Sequence, residues 1–124
     1  MDWHEYPHAP TTGSVICPLG AIPDRGCREF CFGTGESRLC LILYRNGRNI
    51  RAYVNSCPHF SLPLNAHGAE FLLLPQERIM CAWHCSVFLL QDGTCEDGPS
   101  KGVGLEAVPV SVIDGNVVVA HWED

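Results

Sequence analysis

The sequence predicts an all-β protein, and three observations carry that expectation. Short runs rich in Val, Ile, Leu, Phe and Tyr recur between turn-forming residues, as at Leu39 to Arg45, Val108 to Ile113 and Val117 to His121. Two hairpin signals, Asn46-Gly47 and Asp114-Gly115-Asn116, sit between such runs. No stretch carries the period of a long amphipathic helix. Short strands at regular spacing point to a sandwich or barrel.

Taken in order, residues 1–13 are polar, with prolines at 7 and 10, and read as a loosely ordered arm. His4 and His8 have no partner pattern and read as solvated. Ser14 to Cys17 is a short strand, and Pro18 to Gly26 a loop with Pro23-Asp24 and Arg25-Gly26 as turn signals. Cys27 to Phe32 is a strand, Gly33 to Ser37 a hairpin loop, and Leu39 to Arg45 the next strand. Asn46-Gly47 turns the chain into Asn49 to Asn55. Residues 56–100 are rich in Gly and Pro and read as a small subdomain inserted in a larger β framework. Within them Arg78-Ile79-Met80 reads as a strand leading into a loop at 81–84, Ser86 to Leu90 leads out of it, and Gln91-Asp92-Gly93 turns the chain toward Thr94-Cys95-Glu96. The apolar run Phe71-Leu72-Leu73-Leu74 is expected to floor the site described below. The strands at 108–113 and 117–121 return to the framework begun by residues 14–55, so the frame comprises 14–55 and 101–122. Its 124 residues fit a single domain.

Composition excludes several function classes. Lys+Arg number 8 against 14 Asp+Glu, a formal net charge of −6, and no basic run exists, so nucleic acid is not an expected partner. No run of eighteen apolar residues would span a membrane. The start, Met1-Asp2-Trp3-His4-Glu5, has no export signal, and a cytoplasmic location is expected. Neither a Ser-His-Asp arrangement nor a phosphate-cradling glycine loop is present. There is thus no sign of an enzyme acting on a small-molecule substrate.

Two loops carry metal-ligand chemistry. Cys57-Pro58-His59 and Cys81-Ala82-Trp83-His84 each supply one soft thiolate and one imidazole. Zinc also accepts two Cys and two His, but its fingers pair like with like, whereas each loop here mixes the two. A zinc-stabilised interaction module and plain burial of the cysteines are the rival readings. Cys17, Cys27, Cys31, Cys40 and Cys95 read as core thiols in a reducing compartment, whereas Cys85, directly after a candidate ligand, is expected beside the metal site as a weak S–H donor. Cys27 and Cys31, four apart on one strand, would face the same side, and Cys31 and Cys40 could lie opposite each other across the hairpin.

The region closely resembles small soluble Rieske ferredoxin-like proteins. The likeness runs from about Val15 to Ala120 and rests on Cys-x-His…Cys-x-x-His with Pro58, Leu62-Pro63-Leu64, Trp83, Phe88, Asp92-Gly93-Thr94 and Gly98-Pro99. It implies one [2Fe–2S] cluster, with Cys57 and Cys81 on one iron and His59 and His84 on the other. It implies three antiparallel sheets, the cluster at the tip of the 56–100 subdomain, and Gly98-Pro99-Ser100 folding over it. The implied role is a one-electron carrier between a reductase and an oxygenase or other redox enzyme. The small Rieske subunit of a larger oxidoreductase complex is the alternative. Cys85 stands where glycine is usual in the family. Leu62 and Trp83 stand where high-potential members have a disulfide, Ser86 matches their serine donor, and Phe88 replaces their tyrosine. The resemblance therefore implies a potential in the lower half of the Rieske range.

Overall fold

A computed structural model describes residues 3–7, 9–35, 38–57, 63–65, 70–82, 85–98 and 103–120. Among them are eleven strands in three antiparallel sheets, two single 3₁₀ turns, and no α-helix. The outer sheet joins β1 (Val15–Pro18), β11 (Asn116–Val119) and β10 (Val110–Ile113), in that order. The central sheet runs β2 (Cys27–Phe32), β3 (Leu39–Asn46), β4 (Asn49–Val54), β9 (Ala107–Val108). The small sheet is a meander of β5 (Leu72–Leu74), β6 (Arg78–Met80), β7 (Val87–Leu89) and β8 (Cys95–Asp97).

Strand β3 explains the layering. Successive side chains on a strand point to opposite faces. Leu39, Leu41 and Leu43 enter one buried cluster with Cys17, Val117 and Val119 of the outer sheet. Ile42 and Tyr44 enter a second cluster with Ile79, Phe88 and Leu90 of the small-sheet segment. The central sheet is therefore covered on both faces, and a strand covered on both faces reads as a continuous apolar run. Neighbouring strands follow the same register: Leu41 pairs with Val54 and Leu43 with Ala52 on the outer-sheet face, while Ile42 pairs with Tyr53 on the other.

The turns obey local chemistry. Asp114-Gly115 joins β10 to β11 with both residues at positive φ, +52° and +79°, as a type I′ hairpin requires. In the β3–β4 hairpin Asn46 pairs with Asn49, so the loop is Gly47-Arg48, one residue beyond the expected pair. Gly47, at φ +63°, is the residue that takes the left-handed conformation. Pro109 interrupts the expected strand at 108–113. Before it β9 pairs with β4, and after it β10 pairs with β11, so the chain changes sheets at a residue that has no N–H for either ladder.

Three expectations are corrected. The described part of the 1–13 arm is docked rather than loose. Trp3 is buried in the outer core, its backbone N–H donates to Glu106 at 2.8 Å, and His4 meets its ring edge-on. His8 lies outside the described residues. Second, Cys31 and Cys40 do sit opposite each other, yet they form a disulfide rather than packing as thiols. Third, Leu72 and Leu73 are exposed, so only Phe71 of the 71–74 run packs against the inner core.

The small sheet is fastened to the central one through Glu77. Its carboxylate accepts from the Tyr44 hydroxyl and from Asn46 Nδ2, each at 2.8 Å, and from Gln91 Nε2. The Tyr53 hydroxyl adds a 2.7 Å bond to the Leu90 carbonyl. The hydrogen bonds from Tyr44, Gln91 and Asn46 hold the Glu77 carboxyl below its usual range. The stability it contributes is therefore present above the unfolded glutamate pKa, about 4.3, and disappears as pH falls through the lower folded value. Glu77→Gln should lower the melting temperature at neutral pH, and the gap to wild type should close as the solution is acidified. Melting curves at a series of pH values check this; a gap that widens in acid would contradict the assignment.

Candidate metal centre

Two cysteines from separate loops meet in the inner core. After β4, Ser56 N–H donates to the Val54 carbonyl at 2.8 Å, and this tight turn delivers Cys57 into the interior. Cys81 directly follows β6, and its N–H closes the next loop by donating to the Ser86 carbonyl at 2.8 Å. Cys57 and Cys81 are both fully buried, in the same cluster as Leu64, Ile79 and Phe88. Neither takes part in the Cys31–Cys40 disulfide. His59 and His84, with Trp83, Leu62 and Pro99, lie outside the described residues.

The second loop carries one residue that its backbone disfavours. Cys85 N–H donates to the Cys81 carbonyl at 3.0 Å, and Cys85 has φ +59°. This left-handed conformation is one that glycine adopts freely and other residues at a cost of roughly 1–2 kcal/mol. The backbone thus accounts for a preference for glycine after the last candidate ligand, and Cys85, which holds the position at that cost, is exposed.

A buried polar network ties the two loops together, and it was not legible in the sequence. Asn55 Oδ1 accepts from the Leu64 N–H at 2.8 Å, while Asn55 Nδ2 donates to Asn65 Oδ1 at 2.8 Å and to Glu29. Ala82 N–H in the second loop donates to the Leu64 carbonyl at 2.9 Å. Asn55 and Asn65 are both buried, and burial of amides is tolerated because they are hydrogen-bonded. The one signal for Asn55 was a polar residue directly after the apolar run Ala52-Tyr53-Val54 and before Ser56-Cys57.

Ser86 and Phe88 are both fully buried on the exit side of the second loop. Gly98, at φ +100°, packs directly against Ser86: a Cβ there would fall 2.6 Å from Ser86 Cα. Cys27, which packs against the same cluster, has its thiol pKa pushed up to about 12 by burial and stays neutral, in keeping with a packing role. Metal ligation needs thiolates, and two buried sulfurs in one cluster, from two loop starts, suit a soft, thiophilic metal. The described part of the site fits an iron–sulfur group.

The fold and these paired cysteines define a β-domain built to hold a metal centre between two loops. The chain belongs to the Rieske [2Fe-2S] domain family, whose model matches residues 13–119. The cofactor of that family is a [2Fe–2S] cluster. Among curated proteins no relative matches. Solved structures that resemble the chain include the ferredoxin of carbazole 1,9a-dioxygenase from Nocardioides aromaticivorans IC177, at 18% identity and TM-score 0.70, covering 90% of this chain and 100% of that one. Another is the Sphingomonas yanoikuyae B1 ferredoxin, at 19% identity and TM-score 0.66, covering 89% and 99%. The terminal oxygenase of carbazole 1,9a-dioxygenase from Nocardioides aromaticivorans IC177 matches at 19% identity and TM-score 0.71, over 99% of this chain but 35% of the oxygenase. These likenesses establish the three-sheet fold. No helix among the described residues is long and apolar enough to cross a membrane.

Proposed function

We propose that this chain is a one-electron carrier that holds a Rieske [2Fe–2S] cluster through Cys57, His59, Cys81 and His84. It passes electrons between a reductase and an oxygenase or other redox enzyme, works in the cytoplasm, and catalyses no reaction of its own on a small molecule. The observation that carries the reading is the joint burial of Cys57 and Cys81 at the starts of two loops whose sequence spacing is Cys-x-His and Cys-x-x-His. The cluster, when bound, supplies a centre that takes up and releases one electron. The protein's part is to bind and insulate it. Cys57 and Cys81 provide thiolates from within the apolar core, where Leu64, Ile79 and Phe88 keep water away from their side. The Asn55 network holds the loops in register. Support for the partner class comes from carbazole 1,9a-dioxygenase, one of whose ferredoxins, 23% identical over 90% of this chain, is solved in a complex with its oxygenase.

The test is direct. Purified protein should contain about two iron and two acid-labile sulfides per chain, with the reduced-state electron spin signal of mixed imidazole and thiolate ligation. Stoichiometric zinc with no visible absorption would overturn the reading. Ser86→Ala should lower the midpoint potential, because Ser86 is buried and stands where the resemblance places a serine donor to the cluster. Protein-film voltammetry at neutral pH measures the shift. An unchanged potential would remove Ser86 from this role.

A further inference from the structure

We propose that Glu29, Cys31 and Cys40 form a second, redox-gated metal site that binds one soft divalent cation, such as Zn²⁺, once the Cys31–Cys40 disulfide is reduced. The site is independent of the cluster assignment. Among the described residues, one carboxylate oxygen of Glu29 and the sulfurs of Cys31 and Cys40 lie within 4.8 Å of one another. Strand register produces this grouping: Glu29 and Cys31 are two apart on β2 and share a face, and Cys31 pairs directly with Cys40 on β3, Cα to Cα 4.0 Å. The carboxylate is already oriented, since Asn55 Nδ2 donates to its Oε2. The carboxylate is thus held by a neighbour, the arrangement by which outer partners position metal-ligating carboxylates.

Access and room are also present. β2 is an edge strand of the central sheet and Cys31 is exposed, so a thiol can reach its sulfur from solvent. A recess of about 240 Å³ adjoins the group, lined by Glu29, Cys40, Asn55 and Arg38 among others. Arg38 opposes a cation there, but two thiolates and a carboxylate outweigh it. The chemistry balances as follows. A dithiol reductant donates two electrons and two protons: its thiolate attacks Cys31 or Cys40, the protein S–S bond breaks, and the reductant leaves as its own disulfide. The two protein thiols then lose two protons to solvent as two metal–sulfur bonds form. Water completes a four-coordinate shell, as tetrahedral zinc with three protein ligands allows. In an oxidising compartment the sulfurs are tied to each other and the site does not exist; in a reducing one it does.

The experiment uses the cluster-loaded protein, before and after treatment with a phosphine that is then removed anaerobically. Reduction should expose two more titratable thiols. Zinc titrated against a chromophoric chelator should then bind one per chain in the reduced protein and none in the untreated one. Zinc-edge absorption should show two sulfur neighbours at about 2.3 Å. Glu29→Gln should weaken binding about tenfold or more, and C31S/C40S should abolish it. In wild type and in C31S/C40S the visible cluster absorption, unchanged, reports that the fold is intact and that zinc has not displaced iron. No gain in thiols, equal zinc binding with and without reduction, or full binding by C31S/C40S would each overturn the proposal.

Discussion

Cys57→Ser and Cys81→Ser proteins are each expected to be purified with iron reduced at least about tenfold, colourless and less resistant to heat. A hydroxyl is a far weaker ligand for iron than a thiolate, and it ionises far less readily. Both sulfurs lie at zero exposure in one apolar cluster, so no water or neighbouring side chain replaces the lost donor. Cluster binding contributes to folding wherever the ligands come from separate segments, and Cys57 and Cys81 begin two different loops. Loss of the metal should therefore appear as loss of stability too. Cys27→Ser is the control. Cys27 packs on the same side of the central sheet, but burial keeps its thiol neutral, and its removal should leave iron content unchanged. Iron and sulfide analysis of the three proteins decides the matter. A full complement of iron in Cys57→Ser, with loss in Cys27→Ser, would refute the ligand set.

Gly98→Ala should be the most damaging single methyl in the described fold. Two costs add. At φ +100° an L side chain is strained, and the new Cβ would lie 2.6 Å from Ser86 Cα and 3.1 Å from Ser86 N. Those are backbone atoms in a buried strand entry, so neither can swing aside. Strain and forced displacement together cost roughly 2–5 kcal/mol, which for a domain of this size lowers the melting point by more than about 8 °C. The displaced atom belongs to Ser86, so the visible spectrum and potential should shift as well. Gly47→Ala separates the two costs: its φ is +63°, but nothing lies within 4 Å of the added Cβ. It should lose only about 1–2 kcal/mol. Equal melting temperatures for the two variants would show that the Gly98–Ser86 contact is not tight.

These outcomes rest on features of unequal visibility in the sequence. The strands were legible wherever local pattern decides them. The bounds of β2 and β6 agree with the residues, and the Asp114-Gly115 turn follows from chemistry within four positions. The Gly47-Arg48 loop differs by one residue because Asn46 and Gly47 are both good turn formers, and only the paired register decides between them. The two cysteines were legible through spacing. What escaped depends on adjacency across sheets. The Cys31–Cys40 geometry was foreseen as opposition, but composition and expected compartment argued for thiols, and the strand pairing overrode that argument. Glu77 carried no signal, and Asn55 showed only as the end of an expected strand. Their partners lie 14 to 33 positions away for Glu77 and 9 to 26 for Asn55, beyond any local pattern. Trp3 was hidden for the same reason, in a segment whose polarity and prolines suggested no contact at all.

The pairing of β1 with β11 has a kinetic consequence. Val15 meets Val118, about a hundred residues later, while β2–β3–β4 and β5–β8 are local meanders. Local pairings form first, because long loops must be closed before distant contacts give any return. During synthesis at about 5–20 residues per second, β2, β3, β4 and both candidate ligand loops are made seconds before β11 emerges. For that interval Leu39, Leu41, Leu43 and Ile50 present an apolar face with no outer sheet to cover it. The nascent chain is then at its most adhesive. Slowing elongation after Val54, or starving the cell of chaperones, should divert this protein to aggregates more readily than any fault in the cluster loops themselves.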